Sequence, residues 1–324
     1  MNISSQFKTL PLVPTRSDVK GGTYIVTGSN TGLGFQAAKH FVKLGADRVI
    51  LAVRSLEKGN AAVTAIRNET GRDNVAEVWE LDLASLGSVE AFAKKLDTLD
   101  RIDALIENAS VAMLDFTLAE GFETTLTVNV LGTMLLAIRA MPKLQQSAKK
   151  FGIKVHLTVI GSEVAFIPKG ILESTKSNIF DTLSESDTVM GPRYPLSKQL
   201  QLYAVRELAA RFPVSQTNVV VNFVNPGFCR TELSRQATGL FKVRFAVMKT
   251  LVGRTAEMGS RTLMHGAVAG VQSHGKFLSD CEIMDSKVPD WVYNASGSQV
   301  QERVWADLVK ILDIKGHPID VPKL

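Results

Sequence analysis

The chain reads as an α/β protein, a single doubly wound parallel sheet with helices on both faces and a lid over its carboxyl edge. Three observations predict this. Short β-branched and apolar runs alternate with stretches of helical periodicity from residue 23 to residue 268. The predicted strands are almost continuously apolar, as strands covered on both faces must be. No Pro/Gly/Ser-rich linker interrupts the alternation, so one domain spans 21–312, between an extended arm at 1–20 and a tail at 313–324.

The first strand, 23–27, is Thr23-Tyr24-Ile25-Val26-Thr27, β-branched and aromatic. Between Gly32 and Leu44 the residues Leu33, Phe35, Ala37, Ala38, Phe41, Val42 and Leu44 give a helix one packed face, and Gly45 closes it. A second strand lies at 49–53. A helix over 57–69 ends at Gly71, and a third strand covers 75–81. The rhythm continues with a helix at 88–97, a strand at 104–106, a helix at 123–140 and a strand at 153–160. A helix at 193–211, a strand at 219–224 and a helix at 255–268 complete it. Crossovers between parallel strands should be right-handed. Two stretches, 163–192 and 228–252, break the pattern. Each leaves the carboxyl end of a strand, the edge where such sheets bind ligands.

Composition narrows the function classes. Apolar residues make up 45% and charged residues 21%, which suits a globular domain with a large core. A net charge of +5 without a dominant Lys/Arg run speaks against a nucleic-acid partner. Two cysteines, Cys229 and Cys281, are too few for a disulfide framework and suit a reducing compartment. The five histidines show no metal-ligand spacing, so no metal is expected. A polar N-terminus with Pro11 and Pro14 lacks an apolar signal core, and no apolar run of ~18 residues is evident. A cytoplasmic protein without a membrane span is the expectation.

Residues 27–34 read Thr27-Gly28-Ser29-Asn30-Thr31-Gly32-Leu33-Gly34, directly after the first strand and opening a helix. Glycines let the backbone approach a diphosphate, and a helix N-terminus offers free N–H groups and a positive dipole end. An ordinary strand–turn–helix corner would look the same in isolation. The second strand ends Ala52-Val53-Arg54-Ser55, without the acid that accepts from a ribose 2′-hydroxyl in NAD-selective sites. The Arg54 guanidinium can instead pair with a 2′-phosphate, which favours NADP(H). After the third strand Asp82, followed by Leu83, suits an acceptor for the adenine amino group, or simply a helix N-terminal acid. Much later comes Tyr194-Pro195-Leu196-Ser197-Lys198. Tyr194 and Lys198 share one helix face. A phenol is a poor acid–base group near neutrality unless an ammonium is held beside it. Pro195 is tolerated if the helix begins close to Tyr194.

These residues together resemble the short-chain dehydrogenase/reductase family over about residues 20–312. The glycine loop, Asp82, Asn108-Ala109, Asn129, Ser162, Tyr194/Lys198 and Asn225-Pro226-Gly227 fall in family order. The resemblance implies a Rossmann-type fold and an Asn129–Ser162–Tyr194–Lys198 catalytic tetrad. It makes Tyr194 the proton donor to a carbonyl, and has Lys198 lower the Tyr194 pKa and bind the nicotinamide ribose. Ser162 would orient the carbonyl and Asn129 would hold a water in the proton relay. The cofactor would lie along Gly28, Asn30, Thr31, Gly32, Leu33 and Gly34, then Asn108 and Ala109, with Pro226-Gly227 behind the nicotinamide and Thr231 near its amide. Ser29–Gly34, Gly253-Arg254-Thr255-Ala256-Glu257 and the 300–312 tail are similar to the retinol-dehydrogenase-like branch, and more closely to reductases of fungal secondary-metabolite pathways. Two departures stand out. Glu107-Asn108-Ala109-Ser110 replaces the usual Asn-Asn-Ala-Gly, and the longer stretch between Ser162 and Tyr194 implies an extra loop over the site.

The two irregular stretches carry Phe166, Ile167, Ile171, Phe180, Leu183 and Met190, then Phe228, Leu233, Leu240, Phe241, Phe245, Met248 and Leu251. Such walls favour a hydrophobic carbonyl or alcohol over a sugar or small acid, although ordinary core packing would use the same residue types. The segment 240–252 mixes apolar residues with Lys242, Arg244 and Lys249, as a solvated lid helix does; peripheral membrane contact is its lesser reading. Homodimerisation is left open. Rival functions are reduction of a conjugated C=C bond and a non-catalytic NADP-binding regulator on the same fold. The regulator class fits poorly, because it would be expected to lose Tyr194 or Lys198.

Overall fold

The computed structural model describes residues 3–185, 189–231 and 248–322. In chain order its strands are β1 (Thr23–Thr27), β2 (Arg48–Val53), β3 (Ala76–Glu80), β4 (Ala104–Glu107), β5 (Leu118–Ala119), β6 (Phe122–Glu123), β7 (Val155–Ile160), β8 (Val219–Asn225), β9 (Phe277–Ser279) and β10 (Glu282–Ile283). The main helices are α1 (Gly32–Leu44), α2 (Leu56–Thr70), α3 (Leu86–Leu96), α4 (Thr133–Phe151), α5 (Arg193–Arg211), α6 (Ala256–Gly266) and α7 (Ala295–Ile314). Eight strands form one sheet in the order β10-β9-β8-β7-β4-β1-β2-β3, and β5 and β6 make a separate hairpin. All neighbours in the large sheet are parallel except β9 and β10.

Successive side chains of a strand point to opposite faces, so each strand feeds two cores. Ile25, Leu105, Leu157 and Phe223 meet α3, α4, α5 and α7 on one face. Tyr24, Val26, Ile106 and Val224 meet α1, α2 and α6 on the other, where Tyr24 stacks on Phe41 with ring centroids 4.1 Å apart. β1 pairs with both β2 and β4, so strand order reverses between β1 and β4. That crevice is where an open α/β sheet offers its ligand site.

Three expectations need correction. The arm is not simply extended: Ile3–Phe7 forms a 3₁₀ turn and Arg16–Val19 a helical turn. It is pinned to the domain, because Gln6 Oε1 accepts from Phe228 N (2.9 Å) and Ser5 O accepts from Arg254 Nη2 (2.6 Å). The expected helix at 123–140 is a longer compound element. A short helical turn, Thr124–Leu126, leads into a π-helical turn, Thr127–Gly132, and then into α4, which Gly152 closes with φ 63°. By length and composition Thr124–Phe151 could cross a membrane, contrary to the reading that no such stretch exists, but 89% of its most apolar window is buried inside the fold. The sheet also extends beyond 268 through β9 and β10, and α7 packs on α5.

Candidate active site

Gly28 and Gly32 sit in the left-handed region, with φ 64° and 63°, which turns the chain sharply from β1 into α1. A Cβ on Gly28 would stand 2.9 Å from Ala109 Cα, and one on Gly34 would stand 2.8 Å from Gly28 O. The glycine loop and the turn after β4 can therefore cross only because side chains are missing. Thr27 Oγ1 accepts from Asn108 N and Ala109 N, both at 2.9 Å, and Asn108 Nδ2 donates to Thr27 O at 2.9 Å. Thr31, the N-cap of α1, is extended and makes no side-chain cap. The first N–H groups of α1 are thus left without a side-chain partner, and Thr31, Gly32 and Leu33 line a cavity of about 610 Å³.

The same cavity reaches Ser162, Tyr194, Lys198, Pro226, Gly227 and Thr231. Ser162 caps the 3₁₀ turn after β7 by accepting from Val164 N at 3.3 Å. Asn225 Oδ1 accepts from both Glu163 N (3.3 Å) and Gly227 N (3.2 Å), which ties the Ser162 turn to the Pro226-Gly227 loop. Behind that loop the buried Arg254 donates to Pro226 O (3.2 Å) and pairs with Asp280 at 2.7 Å. Tyr194 stands in the first turn of α5, so Pro195 removes no intrahelical bond, as expected.

Asn129 lies in the π-helical turn and is wholly buried. Its Nδ2 donates to Val111 O (2.8 Å) and Ser197 Oγ (3.0 Å), and its Oδ1 accepts from Val111 N (2.9 Å) and Ser110 Oγ (3.0 Å). Ser197 Oγ in turn donates to Tyr194 O at 2.8 Å. Ser110, in place of the family's usual glycine, thus adds a bond to Asn129. Lys198, 1% exposed, donates from Nζ to Ile160 O (2.8 Å) and Gln201 Oε1 (3.0 Å).

Burial lowers the Lys198 pKa to about 7 and raises that of the Tyr194 phenol, with neighbouring Cys229 adding to the rise. The expected depression of the phenol by Lys198 is therefore not realised by the protein's own groups. Burial weakens the ammonium, and two of its N–H groups are committed to oxygens away from the Tyr194 ring, whose centroid lies 5.7 Å from Nζ.

A family model described as short chain dehydrogenase matches residues 23–177. The chain is 41% identical over 316 residues to the short chain dehydrogenase/reductase dmxR8 of Cryptosporiopsis sp., covering 96% of this chain and 95% of the relative. It belongs to the short-chain dehydrogenase family. A second fungal relative, the short-chain dehydrogenase anuD of Penicillium roqueforti, is 37% identical over 96% of this chain and 82% of its own. Among solved structures, the short-chain dehydrogenase of Sphingobium yanoikuyae in complex with NADPH shares the fold, with a TM-score of 0.58 at 21% identity over 87% of this chain and 94% of that one.

In this short-chain dehydrogenase most of the expected residues converge on the cavity, and five do not line it. Gly34 serves the close approach already described. Asn129 supports the floor from behind. Arg54 lies exposed just past β2, beside the glycine loop, whose Gly28 N donates to Ala52 O at 2.8 Å. Asp82 Oδ1 accepts from Ala84 N (3.0 Å), capping its own turn, and Leu83 is buried in the core. Of the expected lid residues, Ile167, Phe228 and Met248 line the cavity, whereas Phe180 and Leu183 are core and Phe166 and Ile171 pack against it. Met190 and Leu251 do not line the cavity, and Leu233, Leu240, Phe241 and Phe245 lie outside the described residues. Sequence reasoning missed the wall formed by Val111, Ala112, Met113 and Val164. The apolar run after Ser110 was its only signal. It also missed Gln201, whose one signal is its spacing of one helical turn from Lys198.

Proposed function

We propose that this short-chain dehydrogenase is an NADPH-dependent reductase of hydrophobic ketones or aldehydes, able to run the reverse alcohol oxidation, in a fungal secondary-metabolite pathway. One observation carries the reading: a single cavity joins the N-terminus of α1, which no side chain caps, to Ser162, Tyr194 and Lys198 past a largely apolar wall. The N-terminal N–H groups of α1 and the glycine turn suit a diphosphate, since a Cβ at Gly28 or Gly34 would close the crossing that forms it. Arg54, exposed and without an ion pair among the described residues, is the group for a 2′-phosphate. When bound, NADP(H) supplies the hydride. The protein's part is to hold the carbonyl oxygen on Ser162 and Tyr194 and to give it a proton from Tyr194 Oη. Burial keeps the phenol protonated but raises its pKa, so the bound cofactor and the Lys198 ammonium would have to bring it back down for efficient transfer. Ala112, Met113, Val164, Ile167 and Phe228 exclude water and accept apolar substrate groups.

NADPH consumption over a panel of hydrophobic ketones, aldehydes and enones, with product identification, tests this. Alcohol products from apolar carbonyls are expected. Saturated ketones from enones would transfer the site to C=C reduction, and silence across the panel with tight NADPH binding would favour the regulator. For the cofactor, Arg54→Ala should lose about 10- to 150-fold in NADPH affinity and little in NADH affinity, the range of one charge-assisted interaction. A wild type that prefers NADH would refute the assignment.

A further inference from the structure

Gln201 stands one helical turn beyond Lys198 on α5 and is 1% exposed. Its amide joins two elements. Oε1 accepts from Lys198 Nζ at 3.0 Å, and Nε2 donates to the Asn129 backbone oxygen at 2.8 Å. The amide fits one way round only: an ammonium only donates and a carbonyl only accepts, so the flipped amide would satisfy neither partner. Lys198 Nζ spends a second N–H on Ile160 O at the end of β7. Of the three N–H groups an ammonium carries, one is left for the cavity that Lys198 lines.

We propose that Gln201 is a positioning residue of the active site: its amide locks Lys198 to the Asn129 turn and directs the last Nζ–H into the cavity. The geometry stands by itself; only the effect on turnover rests on the reductase reading. The link to the Asn129 turn is an amide, which neither gains nor loses a proton near neutrality. Proton exchange at Lys198 is therefore directed towards the cavity and away from the Asn129 side, where the resemblance to the family had placed a relay water. Burial is what lowers the Lys198 titration. Tyr194 on the same helix, its ring centroid 5.7 Å from Nζ, and Cys229, which neighbours Tyr194, are titratable groups lining the same cavity. The Gln201 carbonyl, 3.0 Å from Nζ, is the acceptor through which the ammonium can be tuned locally.

Two substitutions of similar size should push Lys198 in opposite directions. Gln201→Leu removes an acceptor from the ammonium, so Lys198 should titrate lower. Gln201→Glu offers it a carboxylate, so Lys198 should titrate higher, by about 1–3 units. The measurement is 13Cε-lysine NMR of the full chain without added cofactor, with the Lys198 resonance assigned by its loss in Lys198→Arg. Thermal melting and NADPH titration accompany it. The expected order of titration is Leu below wild type below Glu, with the pH limb of kcat moving in the same order on any carbonyl the enzyme reduces. Gln201→Leu should also lower kcat by about 10- to 100-fold, the scale of a lost hydrogen bond to a charged group. A Lys198 titration unmoved in both variants, or moved the same way in both, would overturn the inference. If Gln201→Leu does not fold, the isosteric Gln201→Glu decides alone: an upward shift supports the assignment and no shift refutes it. Opposite shifts without turnover on any carbonyl would uphold Gln201 and remove the reductase reading instead.

Discussion

At the scale of single residues, burial sets the protonation of the Tyr194–Lys198 pair. Burial raises the phenol and lowers the lysine to about 7. A lysine below its ordinary value is cationic below that pH and neutral above it. If the ammonium is needed in turnover, kcat/KM for reduction should be level below about pH 6 and fall as pH rises through 7. A profile with its only limb near the ordinary tyrosine value would contradict this. Tyr194→Phe should keep the fold and NADPH binding, because the ring still packs, and lose about 10²–10⁴-fold in turnover. Activity within a few-fold of wild type would remove Tyr194 as proton donor. Tyr194 and Lys198 could be read as a pair because their chemistry is written in residue type and helical spacing, whereas Ser162 entered only through the resemblance to the family. Gln201 and Ser110 were not legible. Each acts only because the turn carrying Asn129 is brought against it by tertiary packing, and Gln201 reaches Asn129 across 72 positions of sequence.

Among the elements, the π-helical turn Thr127–Gly132 places Asn129 behind the floor of the site. Gly132 is its last residue, and a Cβ there would stand 2.2 Å from Leu83 O, a backbone atom that cannot swing aside. Gly132→Ala should therefore cost about 1–3 kcal/mol or more through overpacking and displace Asn129. Gly87→Ala, near the start of α3 with only Ser85 Oγ at 3.9 Å, should be neutral or gain up to about 1 kcal/mol from helix propensity. Chemical denaturation of the two variants checks the contrast, and equal stabilities would show that the Leu83 contact is soft. Most of the strands from β1 to β8 that build the large sheet were legible because they are compact apolar runs, while β3 alternates apolar residues with Glu77 and Glu80. Three further features left weaker marks. β5 and β6 are two residues each, β9 and β10 follow the last β–α repeat, and a π-helical turn has no periodicity of its own in six residues.

For the molecule as a whole, stability should fall at both ends of the pH scale. Glu107 is buried at the end of β4 with neither carboxylate oxygen bonded, and burial raises its pKa well above the ordinary value. A raised folded-state value means stability that is present below the unfolded carboxylate range and lost as pH rises towards the folded one. His156, buried against Ala269 O, is lowered to about 4, so its share is present above the ordinary histidine value and lost as pH falls from there towards 4. Glu107→Gln should therefore melt higher than wild type at pH 8–9, with the gap closing towards pH 4.5. A gap independent of pH would mean that Glu107 is not held protonated. The N-terminal turn carries a different consequence, one of timing. Gln6 meets Phe228 across 222 positions, Leu10 meets Met258 across 248, and Arg254 meets Ser5 across 249. On the ribosome the first strands and helices can pair soon after they emerge, but the loop around Phe228 gains its N-terminal brace only after Arg254 and Met258 have been made. A growing chain would thus hold a nearly formed crevice between β1 and β4 well before the loop around Phe228 is braced, and residues 5–10 would be among the last to reach their places.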